Sequence, residues 1–204
     1  VLVTKLYSIQ ALLLFQDSRD LLSFVISFLV TFENNMNNVC PTVSVPTYPN
    51  NVAQCDEDWE LHGTKCYYFS PLSAKLPWKE SRKMCQRLKG DLVKIESREE
   101  QEFLDGKLQT EMIHEEDKFW IGLTDSEAEG QWVWTDGSPL NSSLAFWADN
   151  DDNKEPDNWT VEDPEGEDCV RMGQKPFIEG LKWWYDRSCQ IQHRSICAKT
   201  AKIL

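Results

Sequence analysis

Carboxylates are concentrated in one short stretch of this 204-residue chain. The segment EPDNWTVEDPEGEDC, residues 155–169, contains seven acidic residues and no basic one. Oxygen ligands at this density suit a hard cation such as Ca²⁺, which takes six to eight of them. Most acidic runs are instead solvated loops. Because Trp147, Trp159 and Cys169 accompany this run, and disordered acidic segments lack such residues, the pattern favours an ordered cation site.

Two other metal chemistries fit the sequence less well. An EF-hand loop beginning at Asp149 would have Lys154 at its glycine position and Thr160 at its bidentate glutamate. The HEED sequence at His114 lacks the second histidine of the HExxH zinc motif, and the cysteines show no CxxC spacing. Calcium is therefore the predicted ion.

Catalysis is a further class of function to weigh. Glu155 and Asp157 have the residue types of the paired carboxylates of a glycoside hydrolase. A carboxylate that binds a metal stays ionised, however, and cannot act as the general acid. The sequence suggests no Ser/His/Asp or Cys/His arrangement, so we expect that the protein is not an enzyme.

Composition limits the remaining functions. The formal net charge of −13 argues against nucleic acid as a partner, since binding phosphates needs clustered Lys and Arg. The chain has 41% apolar residues and nine tryptophans, enough for one hydrophobic core. The core tryptophans are expected to include Trp120, Trp132, Trp134 and Trp183, which lie in strand patterns with apolar neighbours.

Seven cysteines indicate an oxidising compartment. Six lie between positions 55 and 197 and suit three internal bridges, which six cysteines can form in about 15 ways. The seventh, Cys40, either forms an intermolecular bridge or stays a free thiol. The sequons at Asn141 and Asn158 also fit an extracellular protein.

The chain divides into four predicted segments. Residues 1–32 are apolar, but their longest uncharged block has twelve residues, short of the roughly 20 that span a bilayer. We expect a truncated signal-anchor or a signal peptide there. The Asn- and Pro-rich residues 33–54 form a stalk or linker, residues 55–200 the globular domain, and residues 201–204 a tail.

The globular segment has an α+β pattern. TKCYYFS predicts a strand that forms a hairpin with the preceding CDEDWELHG. One helix covers WKESRKMCQRLKG and can end at Gly90, and a second begins at Ser97 with Glu100 in a capping box. Short strands and long loops follow, beginning with the apolar strand FWIGL.

Residues 55–200 resemble the long form of the C-type lectin-like domain. The motifs that carry the resemblance are WIGL, GQWVWTDGSPL, EPD, GEDC and WYDRSC. Within the family, the chain resembles the membrane receptors of the asialoglycoprotein-receptor and dendritic-cell lectin group, which have type II topology. The resemblance implies two helices, short antiparallel strands and a long calcium-binding loop region. It also implies three disulfides: Cys55–Cys66, Cys85–Cys197 and Cys169–Cys189.

The resemblance further implies two calcium sites. The principal site, where sugar hydroxyls bind calcium directly, would use Glu155, Asp157, Glu167 and Asp186, with Pro156 in the cis conformation. The accessory site would use Asp125, Glu129, Asn158, Glu167 and Asp168. The carbohydrate-binding residues would be the four ligands of the principal site and Trp159, whose ring would stack on the sugar or else be half-buried in the loop.

Two residues depart from the family's pattern. The family's sugar-binding triplets pair a carboxylate with an amide, as Glu-Pro-Asn or Gln-Pro-Asp, whereas Glu155 and Asp157 are both hydrogen-bond acceptors. Tyr185 replaces an asparagine that contacts both calcium and sugar in the family. Both changes are expected to weaken sugar binding.

The resemblance therefore predicts a calcium-dependent carbohydrate-binding domain of a receptor. Its partners would be glycans of mannose or galactose type, and Cys40 would allow a disulfide-linked homo-oligomer. The expected location is the cell membrane, with the lectin domain outside, or alternatively a secreted form. The rival hypothesis is a lectin-like receptor that binds a protein and uses calcium only to order its loops.

Overall fold

The computed structural model describes residues 52–150, 153–161, 163–173 and 180–204. They belong to one compact unit, Asn50–Leu204. The predicted apolar segment 1–32, most of the stalk and Cys40 lie outside the described residues. Within the described ranges, no helix combines the length and the apolar character needed to cross a bilayer.

Helix α1, Trp78–Arg87, packs one face against the core through Trp78, Ser81 and Cys85. The indole N–H of Trp78 donates to the carbonyl of Ile121 at 2.8 Å. The helix ends close to Gly90, as predicted, but the left-handed residue there is Lys89, with φ 63°. Gly90 is needed for a different reason: a Cβ there would lie 2.5 Å from the Ala198 carbonyl oxygen.

Helix α2, Arg98–Glu111, begins at the predicted cap. The Ser97 hydroxyl accepts from the backbone N–H of Glu100 at 3.1 Å. The Glu100 carboxylate accepts from the N–H of Glu96 at 2.9 Å, one residue earlier than in the usual capping box. Leu104 and Leu108 are buried, which fixes the inner face of the helix.

Twelve short strands complete the fold of the described residues. In chain order they are β1 Ala53–Gln54, β2 Glu60–His62, β3 Lys65–Phe69, β4 Asp91–Leu92, β5 Phe119–Thr124, β6 Val133–Trp134, β7 Asp149–Asn150, β8 Asn153–Lys154, β9 Cys169–Met172, β10 Trp184–Arg187, β11 Arg194–Thr200 and β12 Lys202–Ile203. The main sheet has the order β10-β9-β5-β11-β3-β2, with β4 on β11 and β6 on β5. Its pairs are antiparallel except β5 with β11. Two small sheets pair β1 with β12 and β7 with β8.

The hydrophobic core surrounds β5, which is buried at all six positions. Trp120, Trp134 and Trp183 are at most 4% exposed, and Trp132 is partly buried against the core. The prediction that these tryptophans are core residues is confirmed. The α+β prediction is confirmed as well, with two helices and short strands in the part of the chain that the structure describes.

Three disulfides join the pairs that the resemblance implied: Cys55–Cys66, Cys85–Cys197 and Cys169–Cys189. Cys85 on α1 and Cys197 on β11 are both fully buried, so their bond ties the first helix to a central strand. Cys169 begins β9 and Cys189 follows β10. Their bond therefore lies where the acidic loop, residues 155–168, returns to the sheet.

Candidate metal centre

Three carboxylates converge at the end of β10. Glu155, Asp157 and Asp186 each offer one oxygen, and these oxygens lie within 4.8 Å of one another. Glu155 and Asp186 are 7% and 1% exposed, whereas Asp157 is exposed to solvent. The Glu155–Pro156 peptide bond is cis, as predicted. The group is thus buried on one side and open on the other.

Backbone contacts place the triplet against β10. The two carboxylate oxygens of Asp186 accept from the N–H groups of Asp157, at 3.3 Å, and Asn158, at 2.9 Å. The N–H of Glu155 donates to the carbonyl of Ala148 at 2.9 Å. Asp186 is therefore both a predicted metal ligand and the residue that positions the segment carrying two others.

Glu167, the fourth predicted ligand of the principal site, lies outside this group of three. Its Oε1 accepts from Nη1 of Arg187 at 2.5 Å, and its Oε2 from the N–H of Trp159 at 3.4 Å. The side chain is only 2% exposed. Burial raises the pKa of Glu167 above its ordinary value, and the Arg187 guanidinium offsets part of that rise.

Residues of the predicted accessory site are linked by hydrogen bonds. The N–H of Asp125 donates to the carbonyl of Asp168 at 3.1 Å. The amide of Asn158 donates from Nδ2 to Oε2 of Glu129 at 2.6 Å, and its Oδ1 accepts from the N–H of Glu167 at 2.9 Å. All five predicted residues thus belong to one connected region.

Asp125 has the electrostatics of a cation ligand. Its Oδ2 accepts from the N–H of Gly130 at 2.8 Å, whereas its Oδ1 is buried and accepts no hydrogen bond from the described residues. Burial, with the charges of Glu129 and Asp168, raises the pKa of Asp125 to about 6. A buried carboxylate oxygen without a donor is costly, and a bound cation would offset that cost. The oxygen-only donor set fits calcium.

Tyr185 precedes Asp186 directly in β10. It is 5% exposed, and the guanidinium of Arg171 lies 4.3 Å from its ring centroid. The two residues face each other across β9 and β10. Burial raises the pKa of the Tyr185 phenol, which keeps it neutral and a poor metal ligand.

Two arginines of this region were missing from the sequence-based prediction. Arg171 is 8% exposed, and its burial and the nearby Arg187 lower its pKa to about 10. A base within the apolar strand CVRMG was a usable sign of a special position, because arginine is rarely buried without a partner. Arg187 follows Asp186 directly, and no local pattern links it to Glu167.

Trp159 is well placed to meet a ligand. Its side chain is 43% exposed, and Val161 two residues later is 76% exposed. The N–H of Trp159 points to Glu167. The backbone of Trp159 is therefore anchored to Glu167, and the residue keeps much of its surface in solvent.

The chain belongs to the C-type lectin domain family. The family model described as Lectin C-type domain matches residues 74–199. The resemblance drawn from the motifs is thereby confirmed.

Relatives and solved structures agree with this assignment. The chain is 38% identical over 143 residues to human C-type lectin domain family 4 member E, which covers 70% of this chain and 58% of that protein. For mouse C-type lectin domain family 4 member F the identity is 36% over 146 residues, 71% of this chain and 23% of that one. The chain thus spans about a quarter to three fifths of these relatives' lengths.

Two solved domains share the fold. The carbohydrate-recognition domain of the mouse scavenger receptor C-type lectin has a TM-score of 0.59 and 33% identity, covering 72% of this chain and 98% of that domain. A calcium-independent type II antifreeze protein has a TM-score of 0.54 and 26% identity, and the match covers 74% of this chain and 98% of that protein.

Proposed function

We propose that this protein is a calcium-dependent carbohydrate-binding domain of a receptor. The observation that carries the proposal is the convergence of the Glu155, Asp157 and Asp186 carboxylates in a chain of the C-type lectin family. The scavenger receptor domain with the same fold is itself a carbohydrate-recognition domain, which supports glycans as partners.

In the proposed principal site, Glu155, Asp157, Glu167 and Asp186 hold calcium. The bound ion supplies positive charge to which neutral sugar hydroxyls can coordinate. The carboxylates accept the protons of those hydroxyls as hydrogen bonds. Trp159 offers an apolar face beside the site, where a sugar ring can stack.

The proposed accessory site uses Asp125, Glu129, Asn158, Glu167 and Asp168. Its main support is the buried Oδ1 of Asp125. Here the ion would order the acidic loop, because Asn158 and Glu167 belong to that loop while Asp125 and Glu129 belong to the segment after β5.

A protein ligand, with calcium only structural, is the second candidate function. The triplet offers no amide donor at Glu155 or Asp157, and Tyr185 is packed under Arg171 rather than directed at an ion. A sugar hydroxyl would therefore gain fewer hydrogen bonds here than in a Glu-Pro-Asn site. The calcium-independent antifreeze protein illustrates that this fold serves a second purpose without the ion.

We further propose that the receptor is anchored in the cell membrane with this domain outside, or is secreted. Receptors such as rat asialoglycoprotein receptor 2, 34% identical over 157 residues, support the first alternative. Single sites of this kind are weak, so linkage of copies through Cys40 would raise avidity. We expect neither catalysis nor nucleic-acid binding.

Calcium titration by calorimetry and a glycan array, each with and without chelator, test the proposal on the full chain. Binding of calcium together with chelator-sensitive glycan binding is the expected result. Calcium uptake with no glycan binding and no competition by any monosaccharide would favour the protein-binding alternative. Failure of the folded chain to take up calcium at millimolar concentration would overturn both.

The double substitution Asp157→Asn and Tyr185→Asn tests the role assigned to the two departures. It restores an amide donor and an amide ligand, so mannose-type binding on the same array should increase. Tyr185→Phe is the matched control, since it keeps the ring and adds no ligand. An unchanged glycan profile in the double variant would show that the missing amides are not what limits sugar binding.

A further inference from the structure

Arg187 brings a positive charge into the acidic loop. Its Nη1 lies 2.5 Å from Oε1 of Glu167, whose side chain is 2% exposed, while that of Arg187 is 28% exposed. A buried carboxylate needs a compensating cation, and a charge-assisted hydrogen bond of this length is among the stronger polar contacts in proteins. Glu167 therefore has a cationic partner within its own chain.

The neighbours of Arg187 hold the same loop. On one side, Asp186 accepts from the N–H groups of Asp157 and Asn158. On the other side, the hydroxyl of Ser188 donates to Oδ2 of Asp163 at 2.5 Å. Three consecutive residues at the end of β10 thus contact three separate points of residues 155–168. Side chains of the protein alone can keep this loop close to the sheet.

Arg187 and calcium would compete for Glu167. Both cations need the lone pairs of the same carboxylate, and two positive charges at this distance repel each other. The three other carboxylates already converge without Glu167. Coordination of calcium by Oε1 of Glu167 would then require Arg187 to release that oxygen, and coordination by Oε2 would place the ion close to the guanidinium charge.

We propose that Arg187 is a positioning residue that lowers the calcium affinity of the principal site and keeps the loop ordered when calcium is scarce. The inference rests on the proposed function, because it assumes that Glu167 is a calcium ligand. It adds a determinant of the calcium concentration at which the sugar site assembles.

The test compares the full chain with Arg187→Gln, which removes the charge and keeps much of the side chain's size. Lys182→Gln is the matched control, because it removes one positive charge from an exposed ion pair with Asp149 at 2.9 Å. Calcium binding is measured by calorimetry. Hydrogen exchange of the backbone amides of residues 157–159 is measured in chelator.

Arg187→Gln should bind calcium at least fivefold more tightly than the unmodified chain, within the usual range of such couplings. Its amides at residues 157–159 should exchange at least tenfold faster without calcium. Lys182→Gln should remain within twofold of the unmodified chain in both measurements. Arg187→Lys, which retains the charge, should have a calcium affinity closer to that of the unmodified chain than Arg187→Gln has.

The possible outcomes separate the inference from the proposed function. Equal calcium affinities for the unmodified chain and Arg187→Gln would overturn the role of Arg187 and leave the lectin proposal standing. If neither chain binds calcium, the proposed function fails and the inference with it. Should Arg187→Gln fail to fold, Arg187→Met, which also removes the charge, takes its place: calcium binding at least fivefold tighter supports the inference, and any smaller change contradicts it.

Discussion

The amide of Asn158 donates from Nδ2 to Oε2 of Glu129 across 2.6 Å. Its other end, Oδ1, accepts from the N–H of Glu167. Asn158 has a left-handed backbone, with φ 47°, and any Cβ added to Gly166 would collide with its Oδ1. The amide is thus held between two segments and joins the Glu155-Pro156-Asp157 triplet to the predicted accessory site.

This placement of Asn158 predicts which sequon carries a glycan. A glycan on Asn158 would replace a hydrogen of the Nδ2 that contacts Glu129, and it would not fit between the segments. Asn141 is exposed, at the start of a short 3-10 helix, Ser142–Leu144. In chain expressed into the secretory pathway, we expect glycan on Asn141 and none on Asn158, as measured by glycopeptide mass spectrometry.

Two substitutions test this glycosylation pattern without requiring that each glycopeptide be detected by mass spectrometry. Ser143→Ala removes the Asn141 sequon and should cause a loss of one glycan's mass on a gel. Thr160→Ala removes the Asn158 sequon and should change nothing. High occupancy at Asn158 in protein that has all three disulfides would contradict the arrangement described here.

A second prediction concerns Glu100, a buried carboxylate far from the metal centre. It accepts hydrogen bonds from Lys65 Nζ at 2.9 Å and from the hydroxyl of Tyr67 at 2.7 Å. Burial, and then the bond to Glu100, raise the pKa of Tyr67. Glu100→Ala should reduce the free energy of unfolding by about 2 kcal/mol, because it leaves the buried Tyr67 hydroxyl without its acceptor, whereas Lys65 keeps its ion pair with Glu96.

Glu102→Ala is the control for Glu100→Ala. Glu102 lies on the same helix and makes an exposed ion pair with Arg98, so its loss should cost about 0.5 kcal/mol or less. Chemical denaturation measures both values. Equal costs would mean that the Lys65, Tyr67 and Glu100 network does not stabilise the fold.

A third prediction ranks two disulfides by the length of chain that they close. Cys85–Cys197 spans 112 residues and Cys55–Cys66 spans 11. In the chain-entropy model, the longer bridge stabilises by about 5 kcal/mol and the shorter one by about 3 kcal/mol. Replacing each pair by alanines should therefore lower the unfolding midpoint in denaturant more for Cys85 and Cys197. The opposite order would show that strain or residual structure outweighs loop entropy.

Sequence motifs were most informative for contacts between residues whose positions are fixed by the strands and helices that the family has in common. The resemblance supplied the disulfide pairs and brought together Glu155, Asp157 and Asp186, because their segments are fixed by strands β8 and β10. The local patterns for both helices were also sound. Gly90 shows the limit: its neighbour Lys89 has the left-handed backbone, and the need for glycine comes from the distant Ala198.

Electrostatic partners could not be predicted in the same way. Arg187 and Glu167 are twenty residues apart, and they meet only because of the path that the acidic loop follows. Arg171 meets Tyr185 through the register of β9 and β10, which no single-strand pattern specifies. Long-range ion pairs depend on how elements are assembled, whereas helix caps and strand alternation depend on neighbouring residues.

The last prediction concerns Trp159, the exposed ring next to the metal centre. Because the side chain is 43% exposed, Trp159→Ala should change the free energy of unfolding by about 1 kcal/mol or less. If the ring stacks on a sugar, the substitution should weaken chelator-sensitive glycan binding about tenfold, since such contacts contribute about 1 kcal/mol or more.

Val161→Ala is the matched control, because Val161 is apolar, 76% exposed and in the same loop. Val161→Ala should change the free energy of unfolding by about 0.5 kcal/mol or less. It should leave the glycan affinity within twofold of that of the unmodified chain. Calcium affinity, measured by calorimetry, should be the same in both variants, because neither side chain carries an oxygen ligand. Loss of calcium binding in Trp159→Ala would mean that the ring supports the loop.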